Sequence, residues 1–157
     1  MRVHVCSFPV ILACVLAPMA ARAEGSLCPM TADQANCVRI LACYGDEGRW
    51  FHGRAFGRGE GTLAGVMDDG VSCTGTWTSR NIVGLGQADV TCDDGATIRV
   101  IYYYQDEWTG TATGRGLSST GARVESWSGE HVLEYFRNGS PTGEARLRCG
   151  EYDIPLS

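Results

Sequence analysis

From about residue 44 onward the apolar positions fall in short runs. Residues 49–52, 71–77, 88–92 and 97–104 are rich in Thr, Val, Ile and aromatic side chains, which suit a pleated, half-buried surface. Between the runs stand acidic pairs followed by glycine: Asp46-Glu47-Gly48, Asp68-Asp69-Gly70 and Asp93-Asp94-Gly95. Asp-Gly is a strong hairpin mark, because a two-residue primed turn needs positive φ at both central positions. Strands recurring about every 10 residues with turn marks between them predict a mainly β, antiparallel fold: a meander, a sandwich or a small barrel of repeated hairpins.

The two ends are less regular. Thr31-Ala32-Asp33-Gln34 fits a capping box, with Thr31 as N-cap and Gln34 at N3. It predicts a short N-terminal helix reaching about residue 42. The apolar run 38–44 fits a strand equally well, since short apolar runs do not separate the two. Near the other end, 131–136 is apolar enough for a strand and Asn138-Gly139 offers another hairpin turn. Residues 144–149 alternate, placing Ala145, Leu147 and Cys149 on one buried face.

Residues 1–23 read as a secretory signal peptide. Arg2 supplies a positive start, 10–17 an apolar stretch, and Ala21-Arg22-Ala23 a small-x-small cleavage site. The apolar stretch is too short to span a bilayer, which needs about 20 residues. A rival reading takes Ile11-Leu12-Ala13-Cys14 as a lipoprotein box with Cys14 lipidated. Cleavage after Ala23 removes two of the thirteen Arg and none of the eighteen acids, so the net charge moves from −5 to −7. The mature chain reads as one β-rich domain over 24–157. It divides into a disulfide-tied segment (24–48), hairpin repeats (49–129) and C-terminal strands (130–157).

Six cysteines remain: Cys28, Cys37, Cys43, Cys73, Cys92 and Cys149. An even count in an exported chain reads as disulfides, and no C-x2-C pair supplies zinc-ligand spacing. Cys73 and Cys92 lie in alternating runs on either side of glycine-rich turn material at 80–86. That arrangement predicts neighbouring strands and one bridge between them. The other four would staple the N-terminal segment and the C-terminal strand.

Glycine stands out, with 21 residues in a length where the usual ~7% would give about half as many. Part of the excess is patterned. Gly-x-Gly occurs at Gly57-Arg58-Gly59, Gly84-Leu85-Gly86 and Gly114-Arg115-Gly116. Aromatic-or-Cys-x-Gly steps occur at Phe51-His52-Gly53, Cys73-Thr74-Gly75, Trp108-Thr109-Gly110 and Trp127-Ser128-Gly129. Recurrence on this scale marks repeat architecture, and strand glycines admit a neighbouring ring or backbone. The pattern resembles MORN-type repeats over roughly residues 50–129, most closely at Cys73-Thr74-Gly75-Thr76-Trp77 followed by Gly84, Gly86 and Gly95. The resemblance implies stacked antiparallel hairpins used for binding rather than catalysis. It departs from that family in spacing, with x-Gly anchors 22, 35 and 19 residues apart.

Chemistry is sparse. There is no Lys, which excludes Schiff-base chemistry and a P-loop lysine. The acidic balance argues against nucleic acid. His52 and His131 are the histidines left after cleavage, and no Gly-x-Ser-x-Gly elbow accompanies them. The Asp pairs lack the alternating ligands of a calcium loop and suit solvated turn tips. No cofactor or metal is expected. The aromatics are the better lead: Trp50, Trp77, Trp108 and Trp127, with Tyr102 and Tyr104 on one strand. Pointing inward they would be core; sharing an outer face they would form a stacking platform for a polysaccharide or a partner protein. The chain therefore reads as an exported, periplasmic or secreted, disulfide-stapled binding, inhibitor or envelope-associated module. The alternative is a small hydrolase of envelope polymers that uses paired carboxylates.

Overall fold

The computed structural model describes residues 36–157. The expected leader, Cys14, Cys28 and the Thr31 capping box lie outside the described residues. Eight antiparallel strands close into a barrel: β1 (Cys37–Tyr44), β2 (Arg49–Arg58), β3 (Glu60–Met67), β4 (Ser72–Thr78), β5 (Gly86–Cys92), β6 (Thr97–Gln105), β7 (Ala112–Ser118) and β8 (Arg123–Gly129). Each strand pairs with the next, and β1 pairs with β8 to shut the ring. A short helix, α1 (Val132–Asn138), and a hairpin of β9 (Arg146–Cys149) with β10 (Tyr152–Pro155) complete the chain.

The interior takes alternate residues along the strands. Ile40, Ala42, Phe51, Ala55, Leu63, Met67, Ala88, Val100 and Val124 form its packed cluster. A second cluster lies outside the barrel wall, where Leu41, Cys43 and Trp127 meet Val132, Leu147 and Cys149. The Cys43–Cys149 disulfide fastens the C-terminal hairpin to β1 there. Cys73 and Cys92 are direct register partners on β4 and β5 and are disulfide-bonded. Cys37 is disulfide-bonded as well.

Two expected elements need correction. Residues 37–42 are strand, not helix. β1 is covered on both sides, Ile40 and Ala42 facing the interior while Leu41 and Cys43 face the outer cluster. A strand buried on both faces reads as a continuous apolar run and loses its alternation. In the run 131–136, His131 is the N-cap of a helix and 132–136 are helical, not strand. Val132, Tyr135 and Phe136 fall at i, i+3 and i+4 and pack together into the outer cluster, which is a helical face. Asn138-Gly139 closes this helix instead of turning a hairpin. In the last segment Ala145, Leu147 and Cys149 are all buried.

The turns also differ in type from the expected primed form. At 68–70, 93–95 and 119–121 the loop has three residues. The residue before each loop donates its amide across to the residue after it, and the loop glycine donates back, as in Met67 N–H to Val71 O (2.9 Å) and Gly70 N–H to Met67 O (2.9 Å). Only the third residue is left-handed: Gly70, Gly95 and Gly121 have φ of 88°, 86° and 84°, and Asn36 is the one described non-glycine with positive φ. A type I turn followed by a left-handed glycine is the usual three-residue solution. Asn81–Leu85 repeats the design at the opposite end of the barrel, with Gly84 in the left-handed place.

Candidate functional site

One end of the barrel carries the tight acidic turns. The other carries the β2–β3 turn, the β4–β5 loop (79–85) and the β6–β7 loop (106–111), and among the described residues it is open. A cavity of about 370 Å³ enters there. Its walls include Ile40, Leu63, Trp77, Leu85, Ala88, Tyr102 and Ala112, and Gln105 and Ser128 supply polar groups. Among the described residues the lining holds no Asp, Glu, His or Arg. An eight-stranded barrel has an interior just wide enough to be filled by side chains or to hold one small ligand. Below the mouth this one is filled, with about 30 Å³ left among Phe51, Met67, Val100 and their neighbours.

Tyr102 forms the boundary between filled and open halves. Gly86 and Gly114 are its register partners on either side, so its ring lies across two positions without side chains. Its hydroxyl reaches Ser126 Oγ at 2.9 Å, and the Ser126 hydroxyl donates to Leu41 O at 3.2 Å. Since Ser126 has one proton, Tyr102 must donate to it, which leaves a phenol lone pair free to accept. Burial pushes the Tyr102 phenol up, partly offset by the Ser126 bond, so the group is a neutral donor at ordinary pH.

The strand then changes phase. The pairing slips between Tyr102 and Tyr104, so Tyr103 is an extra residue, a β-bulge. Tyr104 pairs with Thr113 and is exposed at the rim, while Tyr103 turns toward Arg115, whose guanidinium lies 5.8 Å from its ring. The β4–β5 loop overhangs the same rim. Asn81 Oδ1 accepts the amides of Val83 (3.0 Å) and Leu85 (3.1 Å), and this fixes a tip that leaves Ile82 and Val83 exposed.

The four tryptophans do not share a face. Trp77 lines the mouth and donates Nε1–H to Phe56 O at 3.1 Å. Trp127 is buried in the outer cluster, where Trp50 packs half-buried. Trp108 is 91% exposed on the β6–β7 loop. So Trp77, Tyr102 and Tyr104 meet at the mouth, while Trp108 and Trp127 flank a separate outer groove. Sequence reasoning missed Leu63, Leu85, Ala88 and Ala112, which carry no chemistry of their own and acquire a role through barrel closure.

The candidate bases and acids stand elsewhere. His52 lies on the outer side of β2, its ring 5.1 Å from Trp50, and His131 precedes α1; neither lines the mouth. Glu60 and Asp89 border one shallow outer depression, and Asp89 is committed to Arg99 and to Gln87 Nε2 (2.6 Å). Among the described residues no three His, Cys, Asp or Glu side chains form a metal-holding group.

Burial, and then the Arg39 charge, lower the His52 pKa below its ordinary 6.5. The folded state therefore takes up this proton less readily than the unfolded chain. Stability should be full above about pH 6.5 and fall as the pH drops through that value toward the folded pKa. Urea titrations at pH 8 and pH 5.5 should show a smaller pH effect for His52→Gln than for the parent. An equal effect in both would mean His52 does not couple to folding.

No helix among the described residues is long and apolar enough to cross a membrane. No protein-family model and no curated protein sequence matches this chain. Solved structures similar to it include a de novo designed fluorescence-activating β-barrel, with 18% identity, 62% of this chain and 93% of that one covered, and a TM-score of 0.47. Two redesigned β-barrels bound to DFHBI are similar as well. One has 12% identity, 60% and 95% coverage and a TM-score of 0.46; the other has 14%, 60%, 92% and 0.46.

Proposed function

We propose that this protein is an exported, non-catalytic binding module whose barrel takes a small, uncharged, largely apolar molecule through its open end. One observation carries the reading: among the described residues the mouth lining has no acid, histidine or arginine. A charged ligand would be desolvated there without a partner, which is costly. A reaction needing general acid–base help would find no group tuned for it. The volume falls within the range of about 300–1,000 Å³ typical of small-molecule pockets. Export is supported by the leader-like residues 1–23 and by disulfides, which persist in oxidising compartments.

The test is titration with the neutral probe N-phenyl-1-naphthylamine, read by its fluorescence. One equivalent should bind. Ala112→Phe, which fills the mouth, and Leu85→Asp, which places a charge at its half-exposed rim, should each weaken binding at least tenfold while far-UV circular dichroism stays unchanged. No saturable binding, or equal binding by parent and both variants, would overturn the proposal.

A further inference from the structure

We infer that a second site, outside the barrel, binds a neutral sugar ring stacked on Trp108. A groove of about 530 Å³ runs between the β6–β7 loop on one side and α1 with β9 on the other. Its aromatic wall is continuous. Trp127 meets Phe136 edge-on at 5.3 Å between centroids, and Phe136 meets Tyr135 at 5.5 Å. Trp108 stands across from this wall with its indole in solvent. Asn138 and Ser140 line the same groove and offer an amide and a hydroxyl.

The presentation of Trp108 is rigid. Asp106 Oδ1 accepts the amides of Thr109 (2.8 Å) and Trp108 (3.2 Å) and the Thr109 hydroxyl (2.7 Å). The backbone closes the same loop, with Gly110 N–H donating to Asp106 O at 2.9 Å and Asp106 N–H to Thr111 O at 2.8 Å. The Thr109 amide and hydroxyl hold the Asp106 carboxyl below the usual carboxylate range. The loop backbone thus fixes where the exposed Trp108 side chain leaves the surface, beside a concave groove. A pinned backbone lowers the ordering cost when a ligand arrives.

Most of the groove's charge is engaged within the protein. Asp106 is occupied by its own loop, and Arg146 pairs with Asp153 (2.9 Å) and Glu144 (3.3 Å). The exposed Arg148 makes no ion pair among the described residues, and its N–H groups can donate to a hydroxylated edge. A molecule with one apolar face and a hydroxylated edge fits this combination. Its C–H face covers the indole, an amphipathic surface with a large apolar area, and its hydroxyls meet Asn138 and Ser140. Sugar rings have that shape. Neither the groove nor its ligand depends on the barrel mouth.

The experiment uses tetrasaccharides of β-linked N-acetylglucosamine, β-linked glucose and α-linked mannose, titrated calorimetrically and by intrinsic tryptophan fluorescence. At least one should bind with a blue shift in emission. Trp108→Ala should weaken it at least tenfold, and Asp106→Ala, which keeps the indole but frees the loop, by a smaller factor. Because Trp108 is exposed, its removal should leave the melting curve in place. Ala112→Phe should bind the sugar as the parent does, so failure of the mouth site and of this one are read separately. Binding of none of the three, or undiminished binding by Trp108→Ala, would overturn the inference.

Discussion

Replacing Cys43 and Cys149 together by Ala should lower stability by about 4.7 kcal/mol, from the loop-closure entropy of a disulfide spanning roughly 100 residues. The bridge joins positions 106 apart in sequence. The Cys73–Cys92 bridge spans 19 and joins direct partners on adjacent strands, so its removal should cost less, about 3 kcal/mol in the same account. Domains are stable by only about 5–15 kcal/mol, and the larger loss would be a substantial part of the whole. It should also have a place. Leu147, Cys149 and Val132 are fully buried against Leu41 and Trp127, and with the bridge gone the C-terminal hairpin is held by packing alone. Acrylamide quenching of Trp127 should then rise before the barrel melts. Guanidinium titration of both double variants gives the order. If the 73/92 pair costs more, or the 43/149 pair costs under about 1 kcal/mol, entropy of loop closure is not what this bridge supplies.

The hairpins were legible because their signals are local. A turn glycine and the alternation beside it sit within ten residues of each other, as at Asp68-Asp69-Gly70 with Ser72–Thr78. The type of turn was less so: Asp-Gly marks a left-handed glycine, but the preceding Asp need not share its φ, and here it does not. Closure was not legible. It is the pairing of β1 with β8, as at Tyr44 with Val124 and Arg39 with Gly129, and no local pattern encodes it. The same pairing explains why β1 looked ambiguous. Its outer face is buried by α1 and β9, so the polar half of the alternation that would have marked it is missing. Helix α1 was hidden in a similar way: six residues of apolar character do not distinguish a period of 2 from one of 3.6.

The site was legible in residue type and not in grouping. Three of the six aromatics singled out in the sequence border the mouth and two border the groove. Their exposure was hidden for a specific reason. Trp108 sits in a loop, where alternation says nothing about direction, and Asp106, which fixes it, reads in sequence as an ordinary turn residue. The Tyr103 bulge was equally unmarked, although it sends Tyr104 outward where strict alternation from Tyr102 would send it in.

Gly114→Val should destabilise the barrel by about 2 kcal/mol, within the usual range for overpacking, while Gly86→Ala should be close to neutral. The two glycines are the strand partners of Tyr102 and neither has positive φ, so steric space alone separates them. A Cβ at Gly114 would meet Val100 Cγ1 at 2.7 Å, Tyr102 Cδ1 at 2.9 Å and Ile101 O at 2.9 Å. A Cβ at Gly86 would meet Tyr102 Cβ at 3.1 Å and Cδ2 at 3.6 Å, so only the first contact is tight and a strand shift of a few tenths of an ångström relieves it. Replacing glycine also restricts the unfolded chain, worth about 0.4–1 kcal/mol in favour of the variant. That gain offsets the mild contact at Gly86 but not the three at Gly114. Combining Gly114→Val with Tyr102→Leu should recover part of the loss, because the ring is one of the three obstacles, and the recovery appears as a coupling term in a double-mutant cycle. Urea denaturation of the four proteins and of Gly86→Ala reads all of this. If Gly114→Val is neutral, or if its cost is unchanged in the Tyr102→Leu background, the ring does not rest on that glycine and Tyr102 is not the floor of the mouth.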